Sequence, residues 1–238
     1  MPSYGITGAS KGIGREFVHQ ISRDSPNVVF AIVRDVEAAI PKFPTSSNVH
    51  IIKGDVTDPV SLLEAAEQVS KINGGKPQLF RGPFTTAILG GLWATNAFLP
   101  LIEKGSEKKI VHISSTAADV GFVRTAGITW GVAYGVAKAG LNTQIARYAV
   151  ELSPKGIKTL ALSPGWVNTY EGPLPKSPEL QQYQELQRSH YSKVYGDIDG
   201  PISPEASVRK SLQIIGELDE TMSGQFLPHD VMRSIIKS

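Results

Sequence analysis

Short β-branched runs alternate with longer stretches whose apolar positions recur every three or four residues, a pattern that predicts a parallel sheet with helices on both faces. The expected strands are Tyr4–Thr7, Val28–Val33, Val49–Lys53, Lys109–Ile113, Lys158–Leu162 and a late Gly224–Leu227. Helical patterns fall near 12–22, 60–72, 88–104, 131–153 and 204–217, and Pro59 and Pro204 stand where a proline can open a helix. No internal repeat, low-complexity tract or linker-like run divides the chain, so residues 1–238 are expected to form one doubly wound α/β domain. Residues 168–204 break the alternation, being rich in Pro, Gly, Gln and Tyr. They predict either a lid-like insertion or a plain surface excursion with a short helix near 178–190. Trp166, Tyr170, Tyr183, His190, Tyr191 and Tyr195 in or beside this segment would line an aromatic pocket or simply pack.

Composition narrows the chemistry. Lys and Arg number 24 against 22 Asp and Glu, so no excess charge is available for a phosphate backbone or an anionic membrane, and neither nucleic acid nor membrane is an expected partner. The chain has no cysteine, which excludes disulfides, thiolate metal sites and a cysteine nucleophile together. Its histidines, at 19, 50, 112, 190 and 229, include no pair at helical metal-site spacing, and no metal is expected. Without a leader-like or long apolar segment, the default location is cytoplasmic.

The first expected strand runs into Thr7-Gly8-Ala9-Ser10-Lys11-Gly12-Ile13-Gly14 and then directly into a helix. Glycines here let the backbone turn tightly and approach a pyrophosphate, while the helix N-terminus offers free N–H groups to the anion. Gly8, Ser10, Lys11, Gly12, Ile13 and Gly14 are therefore candidate dinucleotide contacts; the bland alternative is a glycine-rich turn with no ligand. After the second strand comes Arg34, which with Lys11 suits a ribose 2′-phosphate and favours NADP(H). Asp35 follows it and leaves NAD(H) open.

Tyr134 and Lys138 lie four apart in a helical pattern and so rise from one face. A tyrosine hydroxyl, with a usual pKa of about 10, exchanges protons poorly near neutrality, and an adjacent ammonium favours its phenolate. That pairing makes Tyr134 a candidate general acid and base. Ser115, at the C-terminal end of a strand, lies on the edge where α/β sheets bind ligands and can hold an oxygen on which charge develops. Taken singly, a Tyr-x-x-x-Lys spacing arises by chance and a serine after a strand is a helix cap. Beside the glycine turn the functional reading of all three prevails.

Five motifs in order carry a resemblance: TGASKGIG, Gly54-Asp55-Val56-Thr57, Ile113-Ser114-Ser115, Tyr134-Gly135-Val136-Ala137-Lys138 and Ser163-Pro164-Gly165-Trp166-Val167-Asn168-Thr169. From residue 4 to about 228 the chain resembles the classical short-chain dehydrogenase/reductases, and around Asn96–Pro100 and Leu162–Trp166 it is similar to the small fungal-type reductases of that family. The resemblance implies a Rossmann-like fold, with Asp55 and Val56 beside the adenine, Lys138 also on the nicotinamide ribose, and Pro164, Gly165, Val167 and Thr169 around the nicotinamide. It makes Ser114 a structural neighbour of the catalytic serine and Trp166 a packing wall.

The chain departs from the family between Lys53 and Lys109. No Asn-Ala-Gly turn is present, alignment on Asn96-Ala97-Phe98-Leu99-Pro100 puts Ala87 where the family has a catalytic asparagine, and most of a central fourth strand is missing. The candidates to fill its place are Gln78-Leu79-Phe80, or Phe84–Leu89 recruited as a strand with Gly90-Gly91 as the following turn. The leading expectation is an NADP(H)-dependent oxidoreductase interconverting a small-molecule carbonyl and a secondary alcohol through Ser115, Tyr134 and Lys138. The alternatives are a catalytically impaired dinucleotide-binding protein with a regulatory or scaffolding role, and a chain that binds no cofactor. The altered fourth helix leaves a homo-oligomer open.

Overall fold

The computed structural model describes residues 2–24, 26–44, 46–73, 85–170 and 177–228. The strands β1 (Ser3–Thr7), β2 (Val28–Val33), β3 (Val49–Lys53), β4 (Lys109–Ile113), β5 (Lys158–Leu162) and β6 (Phe226–Leu227) form where the β-branched runs predict them, with β6 shorter than expected. The helices are α1 (Gly12–Ile21), α2 (Pro59–Asn73), α3 (Gly91–Ile102), α4 (Val120–Ala126), α5 (Val132–Leu152), α6 (Pro178–Tyr195) and α7 (Pro204–Glu217). Serine oxygens fix the starts of two of them: Ser177 accepts from the Leu180 N–H at 3.2 Å and Ser203 from the Ala206 N–H at 3.1 Å, each with a proline in the first turn.

Among the described residues the strands fall in two parallel groups, helices covering both faces as the expected Rossmann-like fold requires. β1, β2 and β3 pair in parallel, Ser3 opposite Val28 and Val29 opposite Val49. β4, β5 and β6 form a second parallel sheet, Lys109 opposite Lys158 and Leu162 opposite Leu227. Among the described residues no strand joins β1 to β4. The expectation that 84–89 supplies one is corrected: Thr85–Gly90 is a π-helical turn that runs straight into α3. A β-branched run too short to carry a period is ambiguous between the two states, and here the uninterrupted junction with α3 decides it. The Gln78–Phe80 candidate lies outside the described residues.

Side chains bridge the two sheets where hydrogen bonds do not. On one face Phe30 and Ile32 of β2, Phe98 and Ile102 of α3, Ile110 of β4 and Ile145 of α5 belong to one buried apolar layer. On the other face Val29, Ala31 and Val33 pack on Phe17, Val18 and Ile21 of α1, with Val208 of α7 completing the cover. Helices thus flank both faces, as the alternating strand pattern requires. Between β1 and β4 lies a slot of about 540 Å³.

Candidate active site

The glycine turn joins β1 to α1. Gly8 and Gly12 both have φ of +57°, a left-handed conformation in which a β-carbon is strained, and a Cβ on Gly14 would collide with the Gly8 carbonyl. Lys11 caps α1 in extended backbone with no side chain bonded to the helix start, so the first-turn N–H groups face outward for an anion. Lys11 is exposed, and Ser10 and Ile13 are half-buried on either side of it. Thr169 closes the opposite wall, its Cβ and Cγ2 3.6 Å from where a Gly12 Cβ would stand. Gly8, Lys11, Gly12, Gly14, Lys138 and Thr169 all line the slot.

Beyond β2, Arg34 is exposed, while the Asp35 carboxylate accepts the Ala38 N–H at 3.0 Å and is tied into its own turn. Asp55 has a similar local bond: its carboxylate accepts the Thr57 N–H at 2.9 Å and hydroxyl at 2.8 Å, the turn-capping role that competes with adenine recognition. Val56 is buried in the core beside it.

β4 and α5 bring the other candidates together. Ser115 Oγ accepts the Ala117 N–H at 3.2 Å and caps a single 3-10 turn, Thr116–Ala118. A Cβ on Gly135 would come within 2.8 Å of the Ala117 carbonyl, so the missing side chain lets the first turn of α5 lie against the Ser115 turn. Tyr134, in that helical turn, is 43 % exposed, which leaves its ring open to a ligand. Lys138 is buried; its Nζ donates to the Ile113 carbonyl at 2.6 Å and lies 5.8 Å from the Tyr134 ring centroid. A fixed cation one helical turn from the phenol is what the four-residue spacing predicts.

Three residues support this arrangement: Ser114 and Tyr191, both named from the sequence, and His112, to which the sequence assigns no role. Ser114 Oγ donates to Asn142 Oδ1 at 2.5 Å, tying the end of β4 to α5. His112 is buried with Nε2 3.2 Å from the Thr95 hydroxyl, and its pKa is lowered to about 3, first by burial and then by the Lys138 charge. Tyr191 of α6 places its hydroxyl 3.3 Å from Thr116 Oγ1, one residue past Ser115. Its ring stacks on Trp166 at 5.7 Å and meets Phe122 edge-on at 5.2 Å. Nothing in the local sequence marks Asn142 or Thr95, whereas the tyrosines near 190 did signal an aromatic wall.

The run after β5 crosses back toward the glycine turn. The Pro164 carbonyl accepts Ser207 Oγ–H at 2.6 Å, Gly165 turns at φ +84°, and Val167 bridges to Ile202. In the described part of 168–204 the helix expected near 178–190 is α6, which extends to Tyr195 and packs on α4.

The described fold superposes on solved reductases. An NADPH-bound carbonyl reductase from chicken fatty liver matches over 97 % of this chain and 92 % of its own, with a TM-score of 0.77 at 24 % identity. The carbonyl reductase Sniffer of D. melanogaster gives a TM-score of 0.72 over 97 % of each chain at 21 % identity. The short chain dehydrogenase family profile matches residues 69–172. The short-chain dehydrogenase/reductase atnB of Arthrinium sp is 38 % identical over 96 % of this chain and 97 % of that protein. The chain is a short-chain dehydrogenase/reductase. A second relative, the short-chain dehydrogenase/reductase AacuF of Aspergillus aculeatus, is 33 % identical over the same shares. As a short-chain dehydrogenase/reductase the protein belongs to a family of oxidoreductases with a Rossmann fold, and such a fold with a nicotinamide dinucleotide cofactor acts on a small-molecule substrate. The relative atnB aligns over 261 positions, more than the 238 residues present here, so it carries residues that this dehydrogenase/reductase lacks. Among the described residues no helix is long and apolar enough to cross a membrane, and no cluster of three metal-ligating side chains occurs.

Proposed function

We propose that the protein is an NADP(H)-dependent reductase that interconverts a carbonyl and a secondary alcohol, with Ser115, Tyr134 and Lys138 as its catalytic residues. The observation that carries the reading is the buried Lys138 ammonium, held by the Ile113 carbonyl within 5.8 Å of the ring of the exposed Tyr134, in the helix that packs on the Ser115 turn.

The donor set suits a dinucleotide. The open N–H groups at the start of α1, the side-chain-free approach at Gly8, Gly12 and Gly14, and the Lys11 ammonium fit a pyrophosphate. Ser10 and Ile13 flank that cradle, Asp55 and Val56 stand at the adenine end, and Pro164, Gly165, Val167 and Thr169 border the nicotinamide. Arg34 and Lys11 supply cations for a 2′-phosphate, and the bond of Asp35 to Ala38 draws the competing carboxylate into its own turn, which supports NADP(H) over NAD(H). When bound, the nicotinamide supplies or accepts the hydride.

The remaining work falls to the protein's own groups. Ser115 Oγ–H holds the substrate oxygen, and Tyr134 gives that oxygen a proton in reduction or removes one in oxidation. The positive charge of Lys138 stabilises the phenolate left behind. Trp166 and Tyr191 stack on each other, with the Tyr191 hydroxyl beside Thr116 next to Ser115. The test is NADPH consumption with a panel of aldehydes and ketones: turnover that Tyr134→Phe abolishes supports the reading, and turnover that Tyr134→Phe leaves untouched overturns it.

Among the described residues no strand joins the two sheets, which favours a second reading, a dinucleotide-binding protein without turnover. NADPH-induced thermal stabilisation with no consumption on any carbonyl would select it. The cytoplasmic location is tested by imaging a fluorescent fusion, and the oligomeric state by light scattering.

A further inference from the structure

On the reading above, in which Ser115 holds the substrate oxygen and Tyr134 exchanges its proton, we propose that Asn142 of α5 is a positioning residue for the reaction. By gripping Ser114 it fixes where the neighbouring Ser115 hydroxyl stands relative to Tyr134 and Lys138.

Tyr134, Lys138 and Asn142 are each four residues apart in α5, so they form one row along the helix. The row meets the end of β4 at successive residues. Lys138 Nζ donates to the Ile113 carbonyl at 2.6 Å, and Asn142 Oδ1 accepts the Ser114 hydroxyl at 2.5 Å. Past Ser115, the bare Gly135 lies against the Ala117 carbonyl, where a Cβ would come within 2.8 Å. Ser115 therefore hangs between two points that both touch α5, the helix that also carries the phenol and the ammonium.

The direction of the Ser115 hydroxyl makes this suspension matter. Its Oγ accepts the Ala117 N–H at 3.2 Å, which occupies a lone pair and leaves the hydroxyl proton for a substrate oxygen. That donor and the Tyr134 hydroxyl must meet at one atom, and a misplacement of about 1 Å in such a pair can cost about 10²-fold in rate. The sheet does not set their separation. The Ser114 N–H donates to the Leu162 carbonyl at 2.7 Å, which fixes the strand end against β5 and not against α5. The Ser114 side chain supplies the second tie, and at 2 % exposure its hydroxyl has no water to turn to once Asn142 is lost. Neither Ser114 nor Asn142 lines the slot that holds the glycine turn, so breaking their bond leaves the proposed dinucleotide contacts in place.

Ser114→Ala and Asn142→Leu remove the bond from its two sides. Each should lower kcat about tenfold with the NADPH dissociation constant within about twofold of the parent, and the double variant should be no slower than either single one. In a Ser115→Ala background Ser114→Ala should cost nothing further, because the group it positions is already gone. Independently of turnover, amide exchange at Ala117 should quicken about tenfold in Ser114→Ala, while the Ala161 amide, bonded to the Gln225 carbonyl, stays unchanged. Should Asn142→Leu fail to fold, Ser114→Ala carries the test alone. A lowered Tm with full kcat, an equal loss in the Ser115→Ala background, or an unchanged Ala117 amide would overturn the proposal and leave the pair a core hydrogen bond that only stabilises. If the parent protein turns over no carbonyl, the proposed function fails by itself, and Ala117 exchange alone then upholds or overturns the positioning.

Discussion

The two three-stranded sheets have the same size and strand direction, yet they present different groups at their C-terminal edges. The β1–β3 sheet ends in glycine, Lys11 and Arg34, a turn shaped by backbone and suited to hold an anion. The β4–β6 sheet ends in Ser115 and leans on the helix that carries Tyr134 and Lys138, groups suited to move a proton. On the proposed reading, binding and chemistry are divided between halves that share a core and, among the described residues, no hydrogen-bond ladder. A break in either half should show in a different measurement.

The sharpest cut is Tyr134→Phe. Loss of a general acid typically costs about 10²- to 10⁴-fold in rate, and here it should lower kcat by that much while the NADPH dissociation constant stays within twofold, as roughly judged from a hydroxyl on an exposed ring. An equal loss of NADPH affinity in a fluorescence titration would erase the division. The reciprocal cut is Gly14→Ala. Its methyl group would collide with the Gly8 carbonyl, so the turn must shift; we expect weakened NADPH binding and a stability loss of about 1–3 kcal/mol in urea unfolding.

His112 supplies a pH lever from the chemistry half. Its folded pKa, about 3, lies below the usual histidine value, so the folded protein binds fewer protons than the unfolded chain. Its neutral burial is without penalty above the unfolded pKa, and stability falls as pH drops below about 6.5 toward 3, by at most ~1.4 kcal/mol per pH unit. In His112→Gln the slope of urea-unfolding free energy against pH between 6.5 and 4.5 should flatten; an unchanged slope would assign the acid sensitivity elsewhere. The smallest effect is expected at Arg34→Ala, an exposed position, where NADPH affinity should fall roughly two- to fivefold with NADH affinity unchanged.

Much of this division is legible in the chain. Strands buried on both faces are written as continuous β-branched runs, which is why Val28–Val33 can be read to the residue. The catalytic candidates follow from a helical spacing and the glycine turn from its context between strand and helix. Helix α4 is also bracketed in the sequence, by Asp119, whose carboxylate accepts the Phe122 N–H at 2.6 Å, and by Gly127 at φ +73°, but seven residues are too few to show a period. The shortfall in the central strand is legible as well, but not what takes its place: the Thr85–Gly90 run carries no local mark of whether it continues a helix or starts a strand. The contacts of His112 with Thr95 and of Tyr191 with Thr116 are likewise products of packing between distant segments.

The apolar layer that joins Phe30 and Ile32 to Ile110 and Ile145 has a consequence for how the molecule comes apart. A sheet interrupted by a seam invites melting in two steps, one for each half. Here neither half can withdraw without exposing the other's interior side chains to water, so the two should melt in one cooperative transition, with near-UV and far-UV signals lost together. Cooperativity would then be a property of the shared side chains and not of the continuity of the sheet.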